Sequence, residues 1–148
     1  MGHGGQTSPI LFSSTDLIEV SISDLTVQNG LHGVRMDGQD VALTVDNVAF
    51  ENNVVVSSDG YFYDYFTRSG GGIFLEEGQL TVTDSSFTGN EANLGGAIYI
   101  GGDATINNTV FINNNLALQC LNSLNSKVNN SIFYNNSSEI SFTNNGPQ

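Results

Sequence analysis

One cysteine in 148 residues, Cys120, rules out an internal disulfide and a cysteine-based zinc site. Basic residues are nearly as scarce. Arg35, Arg68 and Lys127 stand against fifteen acidic residues, for a formal net charge of −12. Phosphate binding needs a basic patch, so nucleic acid is not an expected partner. An anionic membrane surface is disfavoured for the same reason. No apolar run approaches the roughly 18 residues that a membrane helix requires, so this segment is not expected to insert in a membrane. Met1–Gly5 lack the apolar region of a signal peptide. Charged residues make up only 12% of the chain, too few for the Lys-, Glu- and Arg-rich surfaces that helices usually present.

What fills the gap is Asn, Ser, Thr and Gly, which favour turns, alongside enough apolar residues (39%) to build a core. The apolar residues recur in a fixed pattern: apolar, Asx two later, apolar five later, Asn eight later. It appears as Ile22, Asp24, Val27 and Gly30, then as Val45, Asn47, Phe50 and Asn53. Val82, Asp84, Phe87 and Asn90 repeat it, as do Ile106, Asn108, Phe111 and Asn114, and finally Val128, Asn130, Phe133 and Asn136. The intervals are 23, 37, 24 and 22 residues, so one copy carries an insertion of roughly fifteen. Apolar pairs keep phase with this pattern: Val34 and Met36, Ile73 and Leu75, Ile98 and Ile100, Leu118 and Cys120, Ile140 and Phe142.

Alternation with period two marks each segment as a strand. Like residues at equivalent positions fit stacked parallel coils, where each residue sits about 4.8 Å from its copy. Phe rings then stack inside and Asn amides form hydrogen-bonded ladders. Asn also accepts the left-handed backbone of a sharp corner, and Gly30 replaces it there in the first copy. A leucine-rich repeat has a similar period but requires Leu at fixed offsets, and a β-sandwich would not repeat residue identities. The expected fold is an all-β, right-handed parallel β-helix of five to six coils. Residues 1–17 are expected as an N-terminal segment or cap, and 18–148 as one domain with an insertion at about 54–69.

Phe87-Thr88-Gly89-Asn90 followed by Gly95-Gly96-Ala97-Ile98 resembles the paired FxxN and GGA(I/L/V) motifs of the chlamydial polymorphic outer membrane proteins. Phe50 to Asn53, Phe111 to Asn114 and Phe133 to Asn136 repeat FxxN, and Gly70-Gly71-Gly72-Ile73 nearly matches GGAI. The copies at Ile22 and Ile106 lack a clear GGAI partner. The resemblance spans about residues 18 to 142. It implies a β-helix related to autotransporter passengers, a cell-surface or extracellular location and a role in adhesion. Other β-helix proteins act on polysaccharides. No β-barrel translocator is present in this chain.

The insertion is the leading candidate for a binding site. It reads Tyr61-Phe62-Tyr63-Asp64-Tyr65-Phe66-Thr67-Arg68, five aromatics in six residues next to an arginine. Aromatic faces stack on sugar rings, and Asp with Arg bonds hydroxyls or carboxylates, so Tyr61, Tyr63, Asp64, Tyr65 and Arg68 are candidate contacts to a glycan or protein. The competing reading is a loop folded back over an apolar flank. Phe50, Phe87, Phe111, Phe133, Asn53, Asn90, Asn114 and Asn136 are expected to be structural.

No catalytic constellation emerges. Glycosidases need two carboxyls about 5 to 10 Å apart, but the acids here, Glu76, Glu77, Asp59 and Asp64 among them, read as solvated. His3 and His32 lack triad partners at a useful spacing. No cofactor or metal is expected. Calcium at coil corners is conceivable chemically, but the glycine-rich nonapeptides that carry it are missing. Asn107, Asn129, Asn135 and Asn136 head glycosylation sequons, although Asn136 is also a ladder position. Cys120 falls on the inward register, as a buried thiol. These features point to a non-enzymatic surface module for adhesion or structural assembly, whose partner is a host-cell or matrix protein, a glycan, or a second copy stacked end to end. A carbohydrate-active protein using the insertion is the alternative.

Overall fold

A computed structural model describes residues 10–13, 16–55 and 68–143. They form twelve strands in one continuous parallel sheet that winds into a three-faced solenoid. β1 (Ile10–Ser13), β3 (Val34–Asp37), the start of β5 (Ile73–Thr83), the start of β7 (Ile98–Asn107), β9 (Leu118–Leu121) and β12 (Ile140–Thr143) stack as the third face. The first face takes the start of β2 (Ile18–Gln28) and of β4 (Val41–Glu51), the ends of β5 and β7, and β10 (Lys127–Asn129). The second face takes the ends of β2 and β4, then β6 (Ser86–Thr88), β8 (Val110–Ile112) and β11 (Ile132–Tyr134). β1 lies within the expected N-terminal segment 1–17, so the solenoid's first paired strand precedes residue 18.

The expected register holds row by row. Ile22, Val45, Val82, Ile106 and Val128 align on the first face. Val27, Phe50, Phe87, Phe111 and Phe133 align on the second. On the third, Phe12, Met36, Leu75, Ile100, Cys120 and Phe142 align, and Met36, Leu75, Ile100 and Cys120 are fully buried. The phenyl rings of Phe50, Phe87, Phe111 and Phe133 stack near-parallel with centroids 4.7, 5.0 and 4.7 Å apart. That offset geometry adds to the apolar area the rings bury.

Beside the phenyl column runs the Asn ladder. The amide of Asn90 donates to the Phe50 carbonyl (3.0 Å) and to Asn114 Oδ1 (3.1 Å), while its own Oδ1 accepts from the Asn53 backbone N–H (3.1 Å). Asn53, Asn114 and Asn136 repeat the arrangement, each amide donating to the Phe or Val carbonyl of the preceding coil. Asn53, Asn90 and Asn114 are buried, so their polar groups would be costly unpaired, and Asn136 is half-buried.

The corner geometry corrects one expectation. The left-handed residue is not the ladder Asn but its predecessor: Asn29, Asn52, Gly89, Asn113 and Asn135 all have positive φ. Gly30 does not. The reason is division of labour at the turn. The left-handed residue bends the chain and leaves its side chain outside, so the inward amide must come from the next residue. The other corner behaves as the Asx repeat implied, with Asp24, Asn47, Asp84, Asn108 and Asn130 all left-handed.

The GGA motif serves the third corner. Gly70 and Gly95 are left-handed (φ 66° and 56°), and a Cβ on either would strike a backbone carbonyl three residues on, at 2.2 Å. Residues 56–67, most of the expected insertion at about 54–69, lie outside the described residues. Both of its described ends are tied to the next coil, by Val55 N–H to the Glu91 carbonyl (2.7 Å) and by a Ser69–Leu94 bridge.

Candidate functional site on the third face

Strand alternation gives the third face an outer row as well as an inner one. Arg35, Phe74, Tyr99 and Gln119 lie between the core pairs and in register with one another. Outward residues are normally exposed, yet Phe74 is 0% and Tyr99 3% accessible, and neither joins the inner core cluster. A second apolar layer therefore sits outside the coil, next to the point where the insertion returns.

Its geometry is specific. Phe74 and Tyr99 stack at 5.3 Å with planes 4° apart. The Arg35 guanidinium lies 4.6 Å from the Phe74 centroid and forms a two-point pair with Asp37, at 3.0 and 2.8 Å. His32 closes the group. Its Nδ1 lies 2.9 Å from the Gly70 carbonyl and its Nε2 3.4 Å from Arg35. A carbonyl only accepts and a guanidinium only donates, so the ring is neutral with its proton on Nδ1. Burial, the largest influence, also pushes its pKa below the ordinary histidine value. Gln119 Oε1 is buried without a hydrogen-bond partner among the described residues. Burial, with the charge of Glu76, pushes the Tyr99 hydroxyl up.

This arrangement holds rings and planar polar groups in fixed planes, and its histidine, already bonded at both nitrogens, anchors Gly70 at the insertion's base. Of the residues singled out in the insertion, Tyr61, Tyr63, Asp64 and Tyr65 lie outside the described residues. Arg68 is half-buried, and its carbonyl accepts from Asn93 N–H at 2.9 Å. Phe50, Phe87, Phe111 and Phe133 form the ring column, and Asn53, Asn90, Asn114 and Asn136 the amide ladder. Sequence reasoning passed over Phe74, Tyr99 and Gln119. The available signal was an aromatic at the middle position of both Ile73-Phe74-Leu75 and Ile98-Tyr99-Ile100.

Other reactive groups are held structurally. The Cys120 thiol is buried, which pushes its pKa up to about 12. Asp103 accepts from the backbone N–H groups of Leu124 and Asn125, both at 2.8 Å, and these bonds hold its carboxyl below the usual range. Among the described residues no group of three His, Cys, Asp or Glu side chains converges on one point. Asn129 donates to Asn107 Oδ1 at 3.0 Å, and Asn136 is engaged in the ladder, so these sequon amides are already hydrogen-bonded. An open groove of about 500 Å³ crosses the first face over Glu19, Ser21, Ala42, Thr44, Gln79 and Thr81.

A family model for right-handed β-helix regions matches residues 9–148. The chain belongs to the right-handed β-helix family. No curated protein matches the chain, and no solved structure matches it either.

Proposed function

We propose that this protein is a non-enzymatic, extracellular or cell-surface β-helix module for adhesion or structural assembly. The observation that carries the reading is the coil stack itself, in which the repeated Phe rings stack and the repeated Asn amides bond from coil to coil. A rigid repeat scaffold of this kind suits surface presentation and assembly. The groups best suited to chemistry support the same reading: His32 is tied by two contacts and Cys120 is an inert thiol. The FxxN and GGAI motifs, similar to those of polymorphic outer membrane proteins, favour a surface location and a host-cell or matrix partner.

The alternative, a carbohydrate-binding or polysaccharide-active protein, draws support from the first-face groove, where Glu19, Ser21, Thr44, Gln79 and Thr81 supply polar side chains, and from the aromatic insertion. Incubating the chain with plant, animal and bacterial polysaccharides distinguishes the two. No reducing or unsaturated sugar should be released, and protease treatment of intact cells should remove the protein. Sugar release would overturn the non-enzymatic reading. Retention on a glycan array, lost in Tyr63→Ala and Arg68→Ala, would establish the alternative as a binding protein.

A further inference from the structure

We infer that His32 is an acid-operated switch for Arg35: the neutral ring holds the guanidinium over Phe74, and the protonated ring drives it off. This switch is independent of the adhesion or assembly role proposed above. Its parts lie inside the stack. Arg35 stands on β3, which is paired with β1 and β5, and Phe74 on β5, which is paired with β3 and β7.

The switch follows from the two ring nitrogens. Nδ1–H donates to the Gly70 carbonyl at 2.9 Å. At Nε2 the neutral ring offers a lone pair, and the Arg35 guanidinium donates to it from 3.4 Å. A second proton leaves the Gly70 bond in place and turns Nε2 into a donor facing a donor. It also sets two cations side by side where His32 is only 5% accessible, so water screens them poorly. Gly70 pins the ring, so the partner that moves is Arg35. Its side chain is 19% accessible and is held from the solvent side by Asp37 at 2.8 Å. The guanidinium gives way toward Asp37 and water, and its contact with the Phe74 ring, at 4.6 Å, is lost.

Among the described residues few charges bear on the ring. Arg35 and Asp37 face it from β3, the first opposing its protonation and the second favouring it. The turn at Ser69 and Gly70 contributes backbone hydrogen bonds, and β5 contributes the Phe74 ring at 5.9 Å. Glu76, further along β5, bears on Tyr99 instead. Burial outweighs these and keeps the midpoint below 6.5, so the switch operates in mildly acidic surroundings. Asp59 and Asp64 lie outside the described residues.

An NMR titration of the whole folded chain from about pH 8 to 5 tests this. Arg35 side-chain protons lie against the Phe74 ring and should resonate upfield of their ordinary positions at the start. They should return to those positions with the midpoint of the His32 ring, while the amides of Phe87 and Asn90 hold still. In His32→Gln the Arg35 protons should keep one position throughout. In Arg35→Met the His32 midpoint should rise by about half a pH unit or more, because the opposing cation is gone. Since both variants alter the layer itself, Asp37→Asn and Asp64→Asn give a separate measurement, in which the Arg35 protons should still follow His32. Arg35 protons that stay upfield while His32 titrates would overturn the switch. So would a shift that survives in His32→Gln or disappears in Asp64→Asn, which would assign it to a carboxyl. Movement of the Phe87 and Asn90 amides at the same midpoint would also overturn it, as the mark of global unfolding.

Discussion

The third and fifth coils are built from the same motif and live in different environments. Phe87 and Phe133 occupy one column, Asn90 and Asn136 one ladder, Ile98 and Ile140 one row. In the third coil all three are fully buried between neighbours on both sides. In the fifth, Phe133 and Asn136 are half-buried and Ile140 is exposed. A repeat cannot bury its own core, and its stability comes from the coils above and below it. Identity of sequence therefore does not give identity of energetic weight. The difference between coils measures how far the end is covered in solution.

The sharpest break in that comparison is Phe87→Ala against Phe133→Ala. Removing a ring stacked on both faces should cost about 3–5 kcal/mol, and removing the terminal ring roughly half of that or less, read by urea denaturation of the monomer. Equal losses would mean the fifth coil is covered as fully as the third.

Asn90→Ala against Asn136→Ala should show the same ordering at smaller scale. The first strands the buried Asn53 N–H and the Phe50 carbonyl and should cost about 2–3 kcal/mol. The second leaves its orphaned groups nearer water and should cost about 1 kcal/mol, measured in the same way.

A pH titration sharpens the comparison from the outer layer. His32 is held neutral when folded, with its pKa below 6.5, so the unfolded chain binds the extra proton first. Stability should be complete above pH 6.5 and fall as the pH drops from there toward the folded pKa. His32→Gln should flatten that part of the profile, and thermal melts from about pH 8 to 5 would show it. An unchanged slope would remove His32 as an anchor of the insertion's base.

Asp103→Ala should have the smallest effect, on the order of 0.5 kcal/mol, because its bonds to Leu124 and Asn125 are exposed. Hydrogen exchange at those two amides should quicken, and exchange at Phe87 and Asn90 should stay as it was.

Much of the fold could be read from spacing because a solenoid repeats its environment at each coil. Any residue type that suits one coil recurs in the next, and the spacing of Phe50, Phe87, Phe111 and Phe133 is enough to reveal the column. The corner was misplaced by one residue because Asn stands at both positions, as in Asn52-Asn53 and Asn113-Asn114, and either one accepts a left-handed backbone. The outer layer was harder still. Phe74 and Tyr99 look like ordinary members of apolar strands, and nothing in a single strand tells which face will be covered.

The sequence alone determined the period, the inward rows and the inward position of Cys120, since period-two alternation and recurrence at 22 to 24 residues are local and repeated signals. Only the tertiary structure decided which Asn turns the chain and which bonds the core. It also decided that Arg35, His32, Phe74 and Tyr99 meet and that β1 pairs with β3 on the third face. Those are relations between residues from different coils, fixed by how the coils stack.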